Sequence, residues 1–236
     1  YPIVTYIAPS DAVGTSLADA DYTDAVHGYF YDVAYQVRIN LSTDFVGIYD
    51  HYYNDSTPDL LGAEESALSC LTGPGDPCDP QPAYYYEFDD DLAGCTTTIT
   101  DQAQDADCYS KVVIDTDSYT SDGSTNDYGR TLAEEQTNFA NWFQYYSIRG
   151  DAGKTALTRA FVPDSVSSAV RVGRQALNHN NSVASGGSSS QVSEFDTIER
   201  ANFYTWINNV RTSGGTPLRS AAVRAGNYYT NLDAYR

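Results

Sequence analysis

The chain has 236 residues, with 13 Lys plus Arg against 32 Asp plus Glu and a formal net charge of −19. That balance argues against nucleic acid as a partner, because binding it requires neutralised phosphates, and against anionic membrane surfaces for the same reason. It suits solubility outside the cell and makes divalent cations a natural counterpart. Hydrophobic residues make up 41%, enough for a core in one large domain or two small ones. Tyr supplies 21 of them, against 8 Phe and 2 Trp, which points to a wet surface rich in rings with polar tips. No stretch is long and apolar enough to span a membrane, and no signal peptide is visible. The chain starts at Tyr1 and has no Met, and Arg236 follows directly on a helical pattern. Both ends are therefore expected to be cuts through something longer.

Residues 1 to 130 read as irregular, Tyr- and Asp-rich sequence. Val33 to Ile39, Phe45 to Tyr49, Tyr84 to Phe88 and Lys111 to Ile114 have the alternation and side chains of short strands. Pro, Gly, Asp and Ser clusters between them read as loops. Cys70, Cys78, Cys95 and Cys108 all fall in this part, with no His nearby and no tight Cys-x-x-Cys pair. Two disulfides in an oxidising compartment fit that spacing better than zinc. Three pairings are open; Cys70–Cys78 with Cys95–Cys108 is preferred because both close short loops.

Residues 131 to 236 carry the regular pattern. A helix is expected over 131 to 162, with Thr131 as N-cap and Glu134 completing a capping box. Phe139, Trp142, Phe143, Tyr146, Leu157 and Phe161 supply its apolar side, and Gly150 and Gly153 mark a place for a kink or break. Ala169 to Gly173 reads as a short buried strand, and Asn178 to Gln191 as a polar linker. Ile198 to Val210 is a second helix, and Pro217 opens a third that runs through Tyr228. Helix, strand, helix, turn, helix is the order of an α/β layered fold.

Several of these segments together resemble a known family. Asn138-Phe-Ala-Asn-Trp-Phe143 is similar to a motif of the PilY-type type IV pilus tip proteins. Lys154 to Phe161, Arg171-Val-Gly173, Phe203-Tyr-x-Trp206-Ile207 and Ser213-Gly-Gly-Thr216-Pro-Leu-Arg219 follow it in the family's order. Tyr84-Tyr-Tyr86 and Cys108 to Val112 resemble the cysteine-bearing insertion before that helix, so the resemblance covers roughly residues 84 to 236. It implies a von Willebrand factor A-like (Rossmann-like) domain with helices flanking a mostly parallel sheet, incomplete here and carrying a long disulfide-bearing insertion. It implies a non-enzymatic adhesin or pilus-assembly role at the cell surface. Expected partners are pilus or filament proteins, host or surface ligands, and further copies of the chain. Such domains often hold a divalent cation, Mg²⁺ or Ca²⁺, on an Asp-x-Ser-x-Ser loop, a Thr in a later turn and a further Asp. Thr216 matches the Thr, while the Asp-x-Ser-x-Ser loop is absent. The site would be partial.

From residue chemistry alone, Gly-Gly-Thr216-Pro217 is also a simple helix start, so Thr216 has two readings. Asp115, Asp117 and Asp122, with Asn126 and Asp127, could offer oxygen ligands to Ca²⁺, but their spacing departs from the EF-hand and no Glu closes it. Solvated loop carboxylates are the better reading there, and for Asp89, Asp90 and Asp91. Arg149-Gly150-Asp151 is an integrin-type tripeptide, but it lies in a predicted helix and reads as coincidence. His27, His51 and His179 sit in no recognisable catalytic motif. The aromatic stripe at Phe139, Trp142, Phe143 and Tyr146 could stack on a sugar but is more often core. The alternatives to a pilus-associated adhesin are a structural subunit of an extracellular filament and, behind it, a carboxylate-dependent hydrolase.

Overall fold

The computed structural model describes residues 4–27, 37–45, 81–95, 105–116, 129–177, 189–210 and 216–230. Its elements are β1 (Ala25–His27), β2 (Val37–Ile39), β3 (Tyr84–Phe88), β4 (Tyr109–Val113), α1 (Leu132–Tyr145), α2 (Arg149–Ala160), β5 (Arg171–Gln175), β6 (Ser189–Glu194), α3 (Thr197–Asn209) and α4 (Leu218–Thr230). They fall into two compact units. Among the described residues the first unit holds 4–7, 19–27, 37–45, 81–95, 105–116 and 129–144, and the second holds 8–18, 145–177, 189–210 and 216–230.

The first unit contains two antiparallel pairs. β1 pairs with β2 from Ala25 opposite Ile39, and β3 pairs with β4 from Tyr84 opposite Val113 to Phe88 opposite Tyr109. Backbone bonds continue past the strand ends: the Leu41 N–H donates to the Tyr22 carbonyl, Ala83 to Leu41, and Ile114 to Ala83. The core is aromatic. Phe45 is 2% exposed, and its ring meets Phe139 at 5.5 Å, Phe143 at 6.1 Å and Tyr84 at 5.4 Å, all edge to face. Phe139, Trp142 and Phe143 of the expected stripe are thus core, whereas Tyr146 lies past the end of α1 and is half-buried. The start of α1 follows from its sequence. Glu134 Oε2 accepts from the Thr131 N–H at 2.8 Å and from its hydroxyl at 2.9 Å, while the Glu134 N–H donates to Thr131 Oγ1 at 3.4 Å. This is the reciprocal capping box the spacing predicts.

The disulfide Cys95–Cys108 forms, with Cα atoms 4.5 Å apart, as preferred from loop length. Cys108 ends a short 3-10 turn (Ala106–Cys108) capped by Asp105, whose carboxylate accepts from the Asp107 N–H. Gly94 lies across the bridge at φ +110°, a left-handed conformation that suits glycine. Cys70 and Cys78 lie outside the described residues.

In the second unit, Phe195, Phe203, Tyr204 and Ile207 form a buried cluster flanked by Phe161, Val166, Val172 and Trp206. Arg200, 5% exposed, lies with its guanidinium 4.4 Å from the Phe195 ring centroid and donates to the Phe161 and Val166 carbonyls. A buried Arg is tolerated here because backbone oxygens and a ring face replace water. β5 and β6 pair antiparallel from Arg171 opposite Glu194, with an irregularity between Val172 and Arg174. The Asp196 carboxylate caps α3 by accepting from the Glu199 N–H at 2.8 Å.

Three sequence expectations need correction. The helix over 131 to 162 is two helices, and the break falls at residues 146–148, not at the glycines. Ile148 is extended (φ −114°, ψ 153°) and buried, and the Tyr145 carbonyl accepts from Thr155 Oγ1 at 2.9 Å. Gly150 and Gly153 lie inside α2. The strand expected as buried at Ala169 to Gly173 runs instead from Arg171 to Gln175, and its residues are exposed or half-buried. The polar stretch Asn178 to Gln191 is not linker throughout, since β6 begins at Ser189. Mixed α/β content stands, but the mostly parallel sheet is not among the described residues. There, all three sheets are antiparallel pairs of consecutive strands, which need no crossover helix.

Candidate functional site

The strongest sequence motif, at Asn138 to Phe143, lies on α1, where Glu135, Asn138, Asn141 and Gln144 recur every third residue. All four are buried. The side chains of Asn138, Asn141 and Gln144 bind backbone far away in sequence. Asn138 Oδ1 accepts from the Tyr6 N–H at 2.7 Å, and its Nδ2 donates to the Val4 carbonyl at 3.2 Å. Asn141 Oδ1 accepts from the Ala20 N–H at 2.8 Å, while Nδ2 donates to the Tyr6 carbonyl at 3.1 Å and to Asp19 Oδ1 at 2.8 Å. Gln144 Oε1 accepts from the Val26 N–H in β1 at 2.8 Å. One helix face therefore satisfies backbone groups of Val4, Tyr6, Ala20 and Val26. Beside it, Arg130 Nη1 meets Glu135 Oε2 at 3.0 Å and Nη2 reaches Thr5 Oγ1 at 3.5 Å.

A cleft of about 480 Å³ opens along this face, lined by Thr5, Asp19, Arg130, Glu134, Asn138 and Asn141 among others. Glu134 is held below the ordinary carboxylate range by the Thr131 N–H and hydroxyl. A cleft lined this way can offer a polar ligand hydrogen bonds. It pairs no Ser, Thr or Cys nucleophile with a His base, the arrangement that acyl transfer would use. The amide motif fixes chain segments through these bonds.

Thr216 is exposed and lies two residues before Leu218, the first residue of α4. Its carbonyl accepts from the Leu218 N–H at 2.8 Å, and the Pro217 carbonyl accepts from the Ala221 N–H at 3.0 Å. The residue therefore does start a helix. Its hydroxyl takes no hydrogen bond among the described residues. Asp115 is half-buried just beyond β4, whereas Asp117 and Asp122 lie outside the described residues. No calcium loop is brought together there among the described residues. Asp89, Asp90 and Asp91 are exposed, with carboxylate oxygens within 4.8 Å of one another. His27 belongs to β1, and His51 and His179 lie outside the described residues.

The Arg149-Gly150-Asp151 tripeptide forms the first turn of α2, and Asp151 is 1% exposed. Its carboxylate cannot reach a partner. One turn on, Lys154 is 5% exposed. Burial pushes Asp151 up to about 7, against the opposing pull of Lys154, and pushes Lys154 down to about 8, against the pull of Asp151. Sequence reasoning missed this pair. The Asp–Lys spacing of three is a faint signal, shared by many exposed helix pairs.

The chain is similar to the type IV pilus biogenesis factor PilY1 of Pseudomonas aeruginosa. It is 32% identical to the strain PAK protein over 151 residues, 62% of this chain and 11% of that one. It is 33% identical to the strain PAO1 protein over 153 residues, again 62% of this chain and 11% of that one. It is 37% identical to the strain UCBPP-PA14 protein over 119 residues, 49% of this chain and 10% of that one. No protein-family model matches the chain, and no solved structure matches it significantly. The chain thus spans about a tenth of the length of the curated relatives it matches. Over the matched stretch these similarities support the PilY-type resemblance carried by its motifs.

Proposed function

We propose that the chain is a cell-surface segment of a type IV pilus-associated protein, acting in adhesion or pilus assembly by binding and without catalysis. The observation that carries this is the 32–37% identity to three proteins named as type IV pilus biogenesis factors. Three features support it. The chain is strongly acidic, it holds a disulfide of the kind extracytoplasmic proteins keep, and no helix among the described residues is long and apolar enough to cross a membrane. The buried amides of α1 add to this: the motif that marks the family holds backbone in place, leaving loops and exposed faces to do the binding.

We extend the reading to a von Willebrand factor A-like arrangement in the C-terminal part. The resemblance of its motifs supports it, while the described elements there run helix, helix, strand, strand, helix, helix with the two strands antiparallel. In that arrangement Thr216 supplies one hydroxyl to a Mg²⁺ or Ca²⁺ ion, and the remaining ligands come from other segments. The hydroxyl of Thr216 at a helix start fits such a role. The test is genetic. The segment corresponding to residues 131–236 is deleted in frame from the gene in its native host, and surface pili and surface attachment are counted. Loss of either, restored by the intact gene, is the expected outcome. Unchanged piliation and attachment would refute the proposal.

A further inference from the structure

We propose that the outer face of the β3–β4 hairpin docks a basic peptide segment of a partner protein. The surface is distinct from the Thr216 turn, and the inference stands whether or not that turn holds a cation.

Alternation along β3 places Tyr85, 5% exposed, on one face of the hairpin and Tyr84, Tyr86 and Phe88 on the other. Cross-strand partners share a face, so Val113, Lys111 and Tyr109 join them in that order. The result is an aromatic row on a two-stranded sheet. Tyr84 and Tyr86 meet edge to face at 5.7 Å, and Phe88 and Tyr109 at 5.5 Å. Tyr84 also packs on buried Phe45, which ties the row to the core of its unit. Yet Tyr86 remains 52% exposed and Phe88 46%. Rings held this firmly lose little freedom on binding, which is why aromatic side chains dominate binding hot spots.

Two observations select a cationic occupant. Lys111 Nζ sits 4.0 Å from the Tyr84 ring centroid, so the face already holds an ammonium on an aromatic ring. A partner's Lys or Arg can repeat that arrangement on Tyr86 or Phe88. The second observation is charge. Phe88 is followed directly by Asp89, Asp90 and Asp91, all exposed. Their turn is fixed: the Asp89 N–H donates to the Cys108 carbonyl at 2.9 Å, the Asp91 N–H donates to Asp89 Oδ1 at 2.9 Å, and the Cys95–Cys108 disulfide closes the loop. Carboxylates at the end of an aromatic row match side chains with an apolar stem and a charged head. A net charge of −19 likewise favours a positively charged partner and disfavours a second copy of this chain.

The test titrates the isotope-labelled full chain with a short peptide alternating lysine and valine, and with its glutamate–valine counterpart, following backbone amide signals. Shifts confined to 84–91 and 109–113, for the basic peptide alone, are expected. Tyr86→Thr and Phe88→Thr suit a strand and should each weaken binding about threefold to tenfold, with the melting temperature held. Tyr86→Phe keeps the ring and should bind as the parent does. Replacing Asp90 and Asp91 by Asn should weaken binding most at low salt. Shifts scattered over the acidic surface, or binding that survives Tyr86→Thr, would overturn the proposal in favour of diffuse charge attraction. No response to the basic peptide would overturn it too. A response at the same residues to a neutral oligosaccharide such as cellohexaose, without one to the peptide, would assign the face to glycans.

Discussion

Asn138 and Asn141 commit both amide atoms to backbone groups more than a hundred residues away, and all of those bonds are buried or partly so. A stranded buried backbone group costs about 1–3 kcal/mol. Asn141→Ala removes the acceptor of the Ala20 N–H and a donor from each of the Tyr6 carbonyl and Asp19. It should cost about 3 kcal/mol in urea unfolding. Asn141→Asp keeps the acceptor for Ala20 but sets an oxygen against the Tyr6 carbonyl, so it should be at least as damaging although nearly isosteric. Equal stability of either variant and the parent would show that the ladder is not structural.

Asp151 makes a prediction of opposite sign. Its folded pKa, about 7, lies above its ordinary 3.8, so the native state binds this proton more tightly than the unfolded chain. Stability from this group is fully present below about 4 and is lost as pH rises to about 7. Lys154, pushed down to about 8 from 10.5, binds its proton more weakly in the native state, so its contribution recovers as pH climbs through that interval. The pair is least favourable between pH 7 and 8. Asp151→Asn removes the buried charge and should raise the melting temperature near pH 7.5 while changing it little near pH 4. Many other acids titrate in this chain, so the comparison of variant with parent is what isolates the site. A variant less stable than its parent at pH 7.5 would mean that the ionised carboxylate is well paired.

At the level of elements, local chemistry was readable and distant contacts were not. The capping box at Thr131 and Glu134 and the strand from Tyr84 to Phe88 follow from neighbours in sequence, and both appear where the spacing placed them. The Cys95–Cys108 pair follows from loop length. By contrast, the break at 146–148 depends on Thr155 reaching back to the Tyr145 carbonyl, and glycine propensity pointed to the wrong residues. β1 is three residues long and is held by β2 and Gln144, so little in its own sequence marks it. The candidate site shows the same division. The Asn138 motif stood out as a signature, but its partners near Tyr6 and Ala20 could not be read from it. Two consequences are measurable. Thr131→Ala should cost about 1 kcal/mol through loss of the cap, seen in thermal unfolding. Replacing Cys95 and Cys108 together by Ser opens a loop with a separation of 13 residues and should cost about 3 kcal/mol. A double variant as stable as the oxidised parent would place the hairpin's rigidity elsewhere.

For the whole molecule, the described residues form two units, one built on the amide-bearing face of α1 and one on the Phe195–Phe203 cluster around Arg200. Neither presents the family motif to solvent as a reactive group. On the proposed reading, binding falls to exposed features, among them the Thr216 turn and the outer hairpin face. If Thr216 contributes to a cation site, calorimetric titration of the full-length protein with Mg²⁺ or Ca²⁺ should show stoichiometric binding that Thr216→Ala weakens. Stoichiometric binding untouched by Thr216→Ala would remove this residue from the site. The central claim, that this PilY-type chain works at the cell surface with type IV pili, is tested most directly by location. Surface appendages are sheared from native cells, the pilus fraction is purified, and its peptides are identified by mass spectrometry. The account predicts peptides of this chain enriched with the major pilin and lost from that fraction in cells lacking pili. Peptides confined to the cell interior, or surface peptides unchanged when pili are absent, would contradict it.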